Sequence, residues 1–215
     1  MISAQEALEK LIAGNARYVA DVHLGGLNAC QTRRNELIDG QEPFAIILGC
    51  SDSRVPAEMI FDQGLGDLFV IRVAGNVVAP SQVGSVEFAA KMFNTQLVVV
   101  MGHTQCGAVQ ATLDELEHPM TNRSPNLRSI VDLIRPSVEP LLETELRLHK
   151  KELLEQSIRA NILCAADGLR DGSSIIEDLI NKGELLVVSA EYSLETGIVE
   201  FFERLPEVDL DKRRQ

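Results

Sequence analysis

The sequence predicts an α/β fold, a parallel-sheet core with flanking helices. Three observations carry that prediction. Hydrophobic residues make up 45% of the 215 and charged residues 24%, so the chain has the balance of a globular protein with a real core. Aromatics are only 4%, with no Trp, and the core must therefore come from Val, Ile, Leu and Ala, which suits strands covered by helices. Short apolar runs alternate with helical patterns along most of the chain, as in a doubly wound sheet. No repeat, low-complexity stretch or linker interrupts this order, so residues 1–215 read as a single domain.

Ser3-Ala4-Gln5-Glu6 has the form of a helix capping box, and Ala7, Leu8, Leu11, Ile12, Tyr18 and Val19 follow at helical spacing. This predicts an N-terminal helical arm over about residues 1–20. Its apolar stripe needs a surface to rest on, in its own domain or in a partner subunit. Residues 21–28 are polar and contain glycine, as a loop would. Buried strands are predicted at 44–48, 68–73, 97–101 and 185–189, with room for crossover helices between them. The helical segments are 57–61, 84–93, 108–116, a long charged stretch from about 127 to 168 broken near Pro136 and Pro140, and 175–181. The charged tail, residues 209–215, is expected to fray.

Charge narrows the function. Lys and Arg number 20 against 32 for Asp and Glu, a net charge of −12 that repels polyanions and argues against a nucleic-acid groove. No apolar run approaches the roughly 20 residues that span a bilayer. The N-terminus has neither the basic flank and apolar block of a secretion signal nor the Arg-rich character of an organelle presequence, which makes the cytoplasm the expected location. Four cysteines, Cys30, Cys50, Cys106 and Cys164, in such a chain suggest metal or redox chemistry before disulfides.

Two segments concentrate that chemistry. Gly49-Cys50-Ser51-Asp52-Ser53-Arg54-Val55 follows the first strand, and Gly102-His103-Thr104-Gln105-Cys106-Gly107 follows the third. Ligands of open α/β sheets collect beyond the carboxyl ends of the strands, where these segments converge if the two strands are neighbours. Together they offer two thiols, an imidazole and a carboxylate, a donor set suited to tetrahedral zinc. As plain packing residues, Cys50 and Cys106 would be small buried hydrophobes and His103 a loop histidine.

The two motifs resemble the signature of the β-class carbonic anhydrases. The resemblance extends through Gln41-Glu42-Pro43, Val70-Ile71-Arg72-Val73-Ala74-Gly75-Asn76, Gly84-Ser85-Val86-Glu87-Phe88 and the segment from Tyr192 to Gly197, covering roughly residues 35–203. It implies a β-carbonic-anhydrase-like fold with one Zn2+ per chain, held by Cys50, His103 and Cys106. It also implies a catalytic dyad of Asp52 and Arg54 and the reversible hydration of carbon dioxide to bicarbonate. A zinc site with an open position lowers the pKa of bound water from about 15.7 to about 7, a figure whose standard instance is the three-histidine carbonic anhydrase site. Two thiolates cancel the charge of the ion, so this zinc should acidify water less, and other groups must help to hold the hydroxide. Asp52 would accept the hydroxide's hydrogen bond and aim it at carbon dioxide, while Arg54 keeps the carboxylate ionised and off the metal. If Arg54 lets go, Asp52 becomes a fourth ligand and closes the site, a form expected to gain as pH falls and hydroxide becomes scarce.

The resemblance further implies substrate contacts from Gln41, the Gly107 backbone N–H and Phe88, the last often contributed by a neighbouring subunit. Gln41 as a solvated turn residue and Phe88 as plain core are the bland alternatives. Arg72 and Asn76 read as structural, ordering the loop beneath the site. Self-association as a dimer or tetramer is implied, with active sites at the interface and the N-terminal helix lying across the partner. One branch of the family is regulated by bicarbonate in a pocket that includes a Trp, and a chain without Trp is not expected to share that control. Ser193 stands where the family commonly has Asp. Cys30 and Cys164 match no ligand position, and none of His23, His118 and His149 is singled out as a proton shuttle. The same scaffold on carbonyl sulfide or carbon disulfide, and a zinc-stabilised protein without turnover, are the competing readings; retention of Asp52, Arg54, Gln41 and Gly107 argues against the second.

Overall fold

The computed structural model describes residues 2–22, 30–119 and 124–202. In chain order the elements are α1 (Ala4–Val19), α2 (Gln31–Glu36), β1 (Ala45–Cys50), α3 (Ala57–Ile60), β2 (Leu68–Val73), α4 (Pro80–Met92) and β3 (Leu97–His103). They continue with α5 (Gly107–Glu117), α6 (Pro125–Leu142), α7 (Lys150–Asp171), α8 (Ser174–Asn181), β4 (Leu186–Tyr192) and β5 (Val199–Phe202). The strands form one sheet in the order β2-β1-β3-β4-β5. The first four are parallel, and β5 runs antiparallel to β4. The chain moves outward from β1 to β2 and then returns to lay β3 on the other side of β1. That reversal opens a crevice at the carboxyl ends of β1 and β3, the place where such sheets bind ligands.

Both central strands are buried along their whole length, because helices cover both faces of the sheet. Alternate residues divide between two cores. Ile46, Leu48, Val98 and Val100 pack with residues of α4 to α8, while Ile47, Val99 and Met101 pack with α1 and α3.

The capping box at the start of α1 is formed: Glu6 N–H donates to Ser3 Oγ (3.2 Å) and Ser3 N–H to Glu6 Oε2 (2.8 Å). The apolar stripe of α1 rests on its own domain, where Ala7, Leu8 and Leu11 are fully buried beside Ile47 and Phe61. Of the two surfaces the sequence left open for that stripe, its own domain is the one it packs on. Asn15 locks the arrangement, donating to the carbonyls of Ile60 (3.2 Å) and Gly197 (2.9 Å) and accepting from Val199 N–H (2.9 Å).

Helix α6 runs through Pro136 and Pro140, correcting the predicted break. Both prolines face solvent, so the carbonyls left without a helical donor are free to meet water, while Val131, Ile134 and Val138 stay buried on the opposite face. The chain breaks later, at a short 3-10 turn over Glu145–Leu148. Strands β1, β3 and β4 extend past their apolar runs to Cys50, His103 and Tyr192, because ladder pairing continues where the side chains turn polar. The sequence reading missed α2, which buries no side chain, and β5, which is only four residues long. Among the described residues, no helix is long and apolar enough to cross a membrane. His23 and the 209–215 tail lie outside the described residues, as does most of the 21–28 loop.

Candidate active site

The crevice between β1 and β3 is furnished by the strand ends themselves. Cys50 is the last residue of β1, His103 is the last of β3, and Cys106 is the N-cap of α5. One ligand atom from each lies within 4.8 Å of the others, and all three residues are buried. Between His103 and Cys106 the chain turns through a left-handed residue, Gln105 (φ 56°). Thr104 ties that turn to the end of β4, its N–H donating to Tyr192 O (2.9 Å) and its Oγ accepting from Leu194 N–H (3.0 Å).

His103 places its Nδ1 2.9 Å from the carbonyl of Thr104. A carbonyl only accepts, so Nδ1 carries the proton and Nε2 presents a lone pair. That Nε2 is buried and has no hydrogen-bond partner, an unfavourable position for a polar atom that a metal would relieve. The thiols fit the same cation. Cys50 is pushed down to about 4, chiefly by the S–H of Cys106, with help from His103 and the N–H groups of Asp52 and Gly75. Cys106 is pushed up, first by its contact with Cys50 and then by burial, although the N–H groups of Ala108 and Val109 favour its thiolate. Two thiols so close share one proton, and a dication between them favours loss of both. Burial works against protonation of His103, but the adjoining Cys50 outweighs it and the imidazole is shifted upward.

Asp52 stands beside this cluster, its Oδ2 3.9 Å from His103 Nε2. Arg54 grips it at two points, Nε to Oδ1 at 2.9 Å and Nη2 to Oδ2 at 2.7 Å, and its backbone N–H adds a third bond to Oδ1 at 3.0 Å. The side-chain bonds from Arg54 hold the Asp52 carboxyl well below the usual carboxylate range. Arg72 braces the same segment from below, donating from Nε to Cys50 O (2.9 Å) and from Nη2 to Asp52 O (2.5 Å). Asn76 is buried in a left-handed conformation (φ 45°) in the loop after β2. Arg72 thus orders the segment as the sequence suggested, whereas the Asn76 Nδ2 is buried without a hydrogen-bond partner.

Two predicted substrate residues are not brought to the cluster within one chain. Gln41 precedes β1 and is separated from Cys50 by that strand, roughly 20 Å at about 3.3 Å per residue. It lines an open cavity of about 540 Å³ together with Arg34, Leu65 and Phe93. Phe88 on α4 is half-exposed and packs against Phe69 and Phe93. Gly107, by contrast, opens α5 directly beside Cys106. Cys30 and Cys164 are free cysteines outside the cluster, and Ser193 Oγ accepts from Thr196 N–H (3.2 Å), serving a local turn. The sequence reading missed Asn161, whose Nδ2 donates to Gly75 O (2.8 Å) beneath the site. Its signal was a polar residue on the buried stripe of α7, between Ile158 and Ile162.

A buried Cys-His-Cys cluster with an ionised carboxylate beside it, at the switch point of an α/β sheet, fits a metal-dependent enzyme of the hydrating or hydrolysing kind. The family model described as carbonic anhydrase matches residues 45–199. The chain is 37% identical over 207 residues to a carbonic anhydrase of Mycolicibacterium smegmatis, covering 96% of each. It is 38% identical over 196 residues to carbonic anhydrase 2 of Mycobacterium tuberculosis, covering 91% of this chain and 90% of that one. The solved structure of the β-carbonic anhydrase CcaA superposes with a TM-score of 0.72 at 25% identity, covering 91% of this chain and 95% of the other. The chain belongs to the β-carbonic anhydrases. It is an enzyme of reversible carbon dioxide hydration, and its cofactor is zinc.

Proposed function

We propose that Cys50, His103 and Cys106 hold the zinc ion and that Asp52, clasped by Arg54, orients the attacking hydroxide toward carbon dioxide. The observation that carries this reading is the two-point grip of Arg54 on a carboxylate 3.9 Å from His103 Nε2. The zinc ion supplies the Lewis acidity that makes hydroxide available near neutrality. Asp52, ionised and unable to donate, accepts the hydroxide's hydrogen bond and leaves a lone pair free to attack. Arg54 keeps that carboxylate turned from the metal. The Nδ1 bond to Thr104 fixes the ring of His103 with Nε2 toward the ion. The Gly107 N–H, in the first turn of α5, is available to an oxygen of bicarbonate.

The same distances support a gate. Asp52 Oδ2 is 3.9 Å from His103 Nε2, close enough that, released from Arg54, it would be available as a further ligand to an ion held by the cluster. Arg54 is 52% exposed at its side chain and free to swing into solvent. Carboxylate and hydroxide then compete for one place. Asp52 stays ionised throughout, so the response to pH comes from the supply of hydroxide. Carbon dioxide hydration by the zinc-loaded protein, followed from about pH 7 to about pH 9, should collapse below about pH 8. A profile flat down to pH 7 excludes the gate.

Gln41 and Phe88 act, in this reading, on the site of a partner subunit, as a dimer or a pair of dimers would allow. Supporting it, β2 is a sheet edge, and Ile38, Leu65, Phe88 and Met92 are exposed apolar side chains around it. Two β-carbonic anhydrases of Sordaria macrospora, one of which superposes with a TM-score of 0.69 at 23% identity, are described as tetrameric. The two site thiols must stay reduced to bind metal, which suits the cytoplasm.

A further inference from the structure

We infer that Asn161 is a positioning residue for the metal centre, acting through Gly75 to aim a backbone N–H at the sulfur of Cys50. The inference rests on Cys50 being a zinc ligand. Gly75 is tied on both sides. Its N–H donates to Cys50 Sγ at 3.4 Å, and its carbonyl accepts from Asn161 Nδ2 at 2.8 Å. The loop that carries it is held in an unfavourable shape, with Gly75 (φ 70°) and Asn76 (φ 45°) both left-handed. Packing confines it as well, since a Cβ at Gly75 would meet the Ile134 side chain at 2.8 Å and Ala108 Cβ at 3.1 Å. Asn161 is 2% exposed on α7, 86 residues away in sequence, and Ile158 and Ile162 beside it are buried.

A carboxamide in that stripe is unfavourable unless its bond matters. The consequence falls on the sulfur. An N–H pointing at a thiolate draws electron density from it, and the thiolate then donates less charge to the ion it holds. At a site with two thiolates, which cancel the charge of a divalent ion, that withdrawal keeps the metal electron-poor. Asn161 is thus the distant end of a chain of contacts, from α7 through Gly75 to Cys50, that sets the electronic character of the centre.

The test uses the full-length protein loaded with cobalt in place of zinc. Asn161→Ala should shift the sulfur-to-cobalt charge-transfer band to longer wavelength. Asn161→Asp, equal in size but without the amide donor, should do the same. Ser157→Ala is the matched control, since Ser157 is buried one turn earlier on α7 and its hydroxyl has no partner; its band should not move. A folded Asn161→Ala or Asn161→Asp protein with an unshifted band overturns the inference. Failure of both to fold, with Ser157→Ala folding normally, overturns it in favour of a purely structural residue. Cys50→Ser separates the underlying reading: if the charge-transfer band survives that change unaltered, Cys50 is not a ligand and the metal assignment itself fails.

Discussion

Arg54 governs what Asp52 does. Three hydrogen bonds from one residue keep the carboxylate ionised and held beside the cluster. Replacing Asp52 with Asn keeps the size but removes the charge and adds a donor where the hydroxide's proton must sit. Turnover should fall roughly 10²- to 10³-fold with zinc content unchanged, as measured by stopped-flow hydration and metal analysis. The residual activity should also lose the steep decline toward pH 7, because a neutral amide competes poorly for the metal. Stability should respond differently. The Asp52 carboxyl is lowered in the folded state, so the stabilisation from its pair with Arg54 is fully present above the ordinary carboxylate range, near pH 4. It is lost only as pH falls below that range. Thermal melts between pH 6 and pH 8 should therefore show no pH-dependent change from this pair, while activity changes across much of the same interval.

At the scale of elements, α1 and α7 do the holding. Helix α1 approaches α3 so closely that a Cβ on Gly14 would lie 1.8 Å from Phe61 O. Alanine is the better helix former by about 1 kcal/mol, but this contact is with the backbone of Phe61, and Asn15, Ile60 and Phe61 around it are buried. Gly14→Ala should destabilise the fold by about 1–3 kcal/mol or more in a denaturant titration, against the direction that helix propensity predicts. The same close approach explains why the N-terminal helix docks in its own domain. Its start was legible in the capping box and its stripe in the spacing of Leu8 and Leu11, but its destination depends on a glycine and an Asn that meet residues 45 to 184 positions away. Helix α6 shows the converse. Pro136 and Pro140 predict a break locally, and packing of Val131, Ile134 and Val138 overrides them because the lost bonds lie on the wet face.

For the whole molecule, the proposed role of a second chain in the site can be tested by complementation. If Gln41 serves the neighbour's zinc, chains carrying Gln41→Ala and chains carrying Asp52→Asn should complement each other. A mixed dimer then holds one site of two with both native residues, and since random exchange in an equal mixture makes half of the dimers mixed, mixing should restore about a quarter of the native activity. A site complete within one chain predicts no such recovery. The sequence by itself determined the kind of fold through its strand periodicity and, through motifs of a few adjacent residues that resemble a known family, the candidate metal cluster at two strand ends and the Asp52–Arg54 pair. Only the tertiary structure decided where α1 rests, that β5 closes the sheet antiparallel, and that Gln41 stands a strand's length from Cys50. It alone also brought Asn161 under Gly75. These are contacts between distant segments, set by how whole faces fit together, and no local pattern of residues encodes which distant surface will meet them.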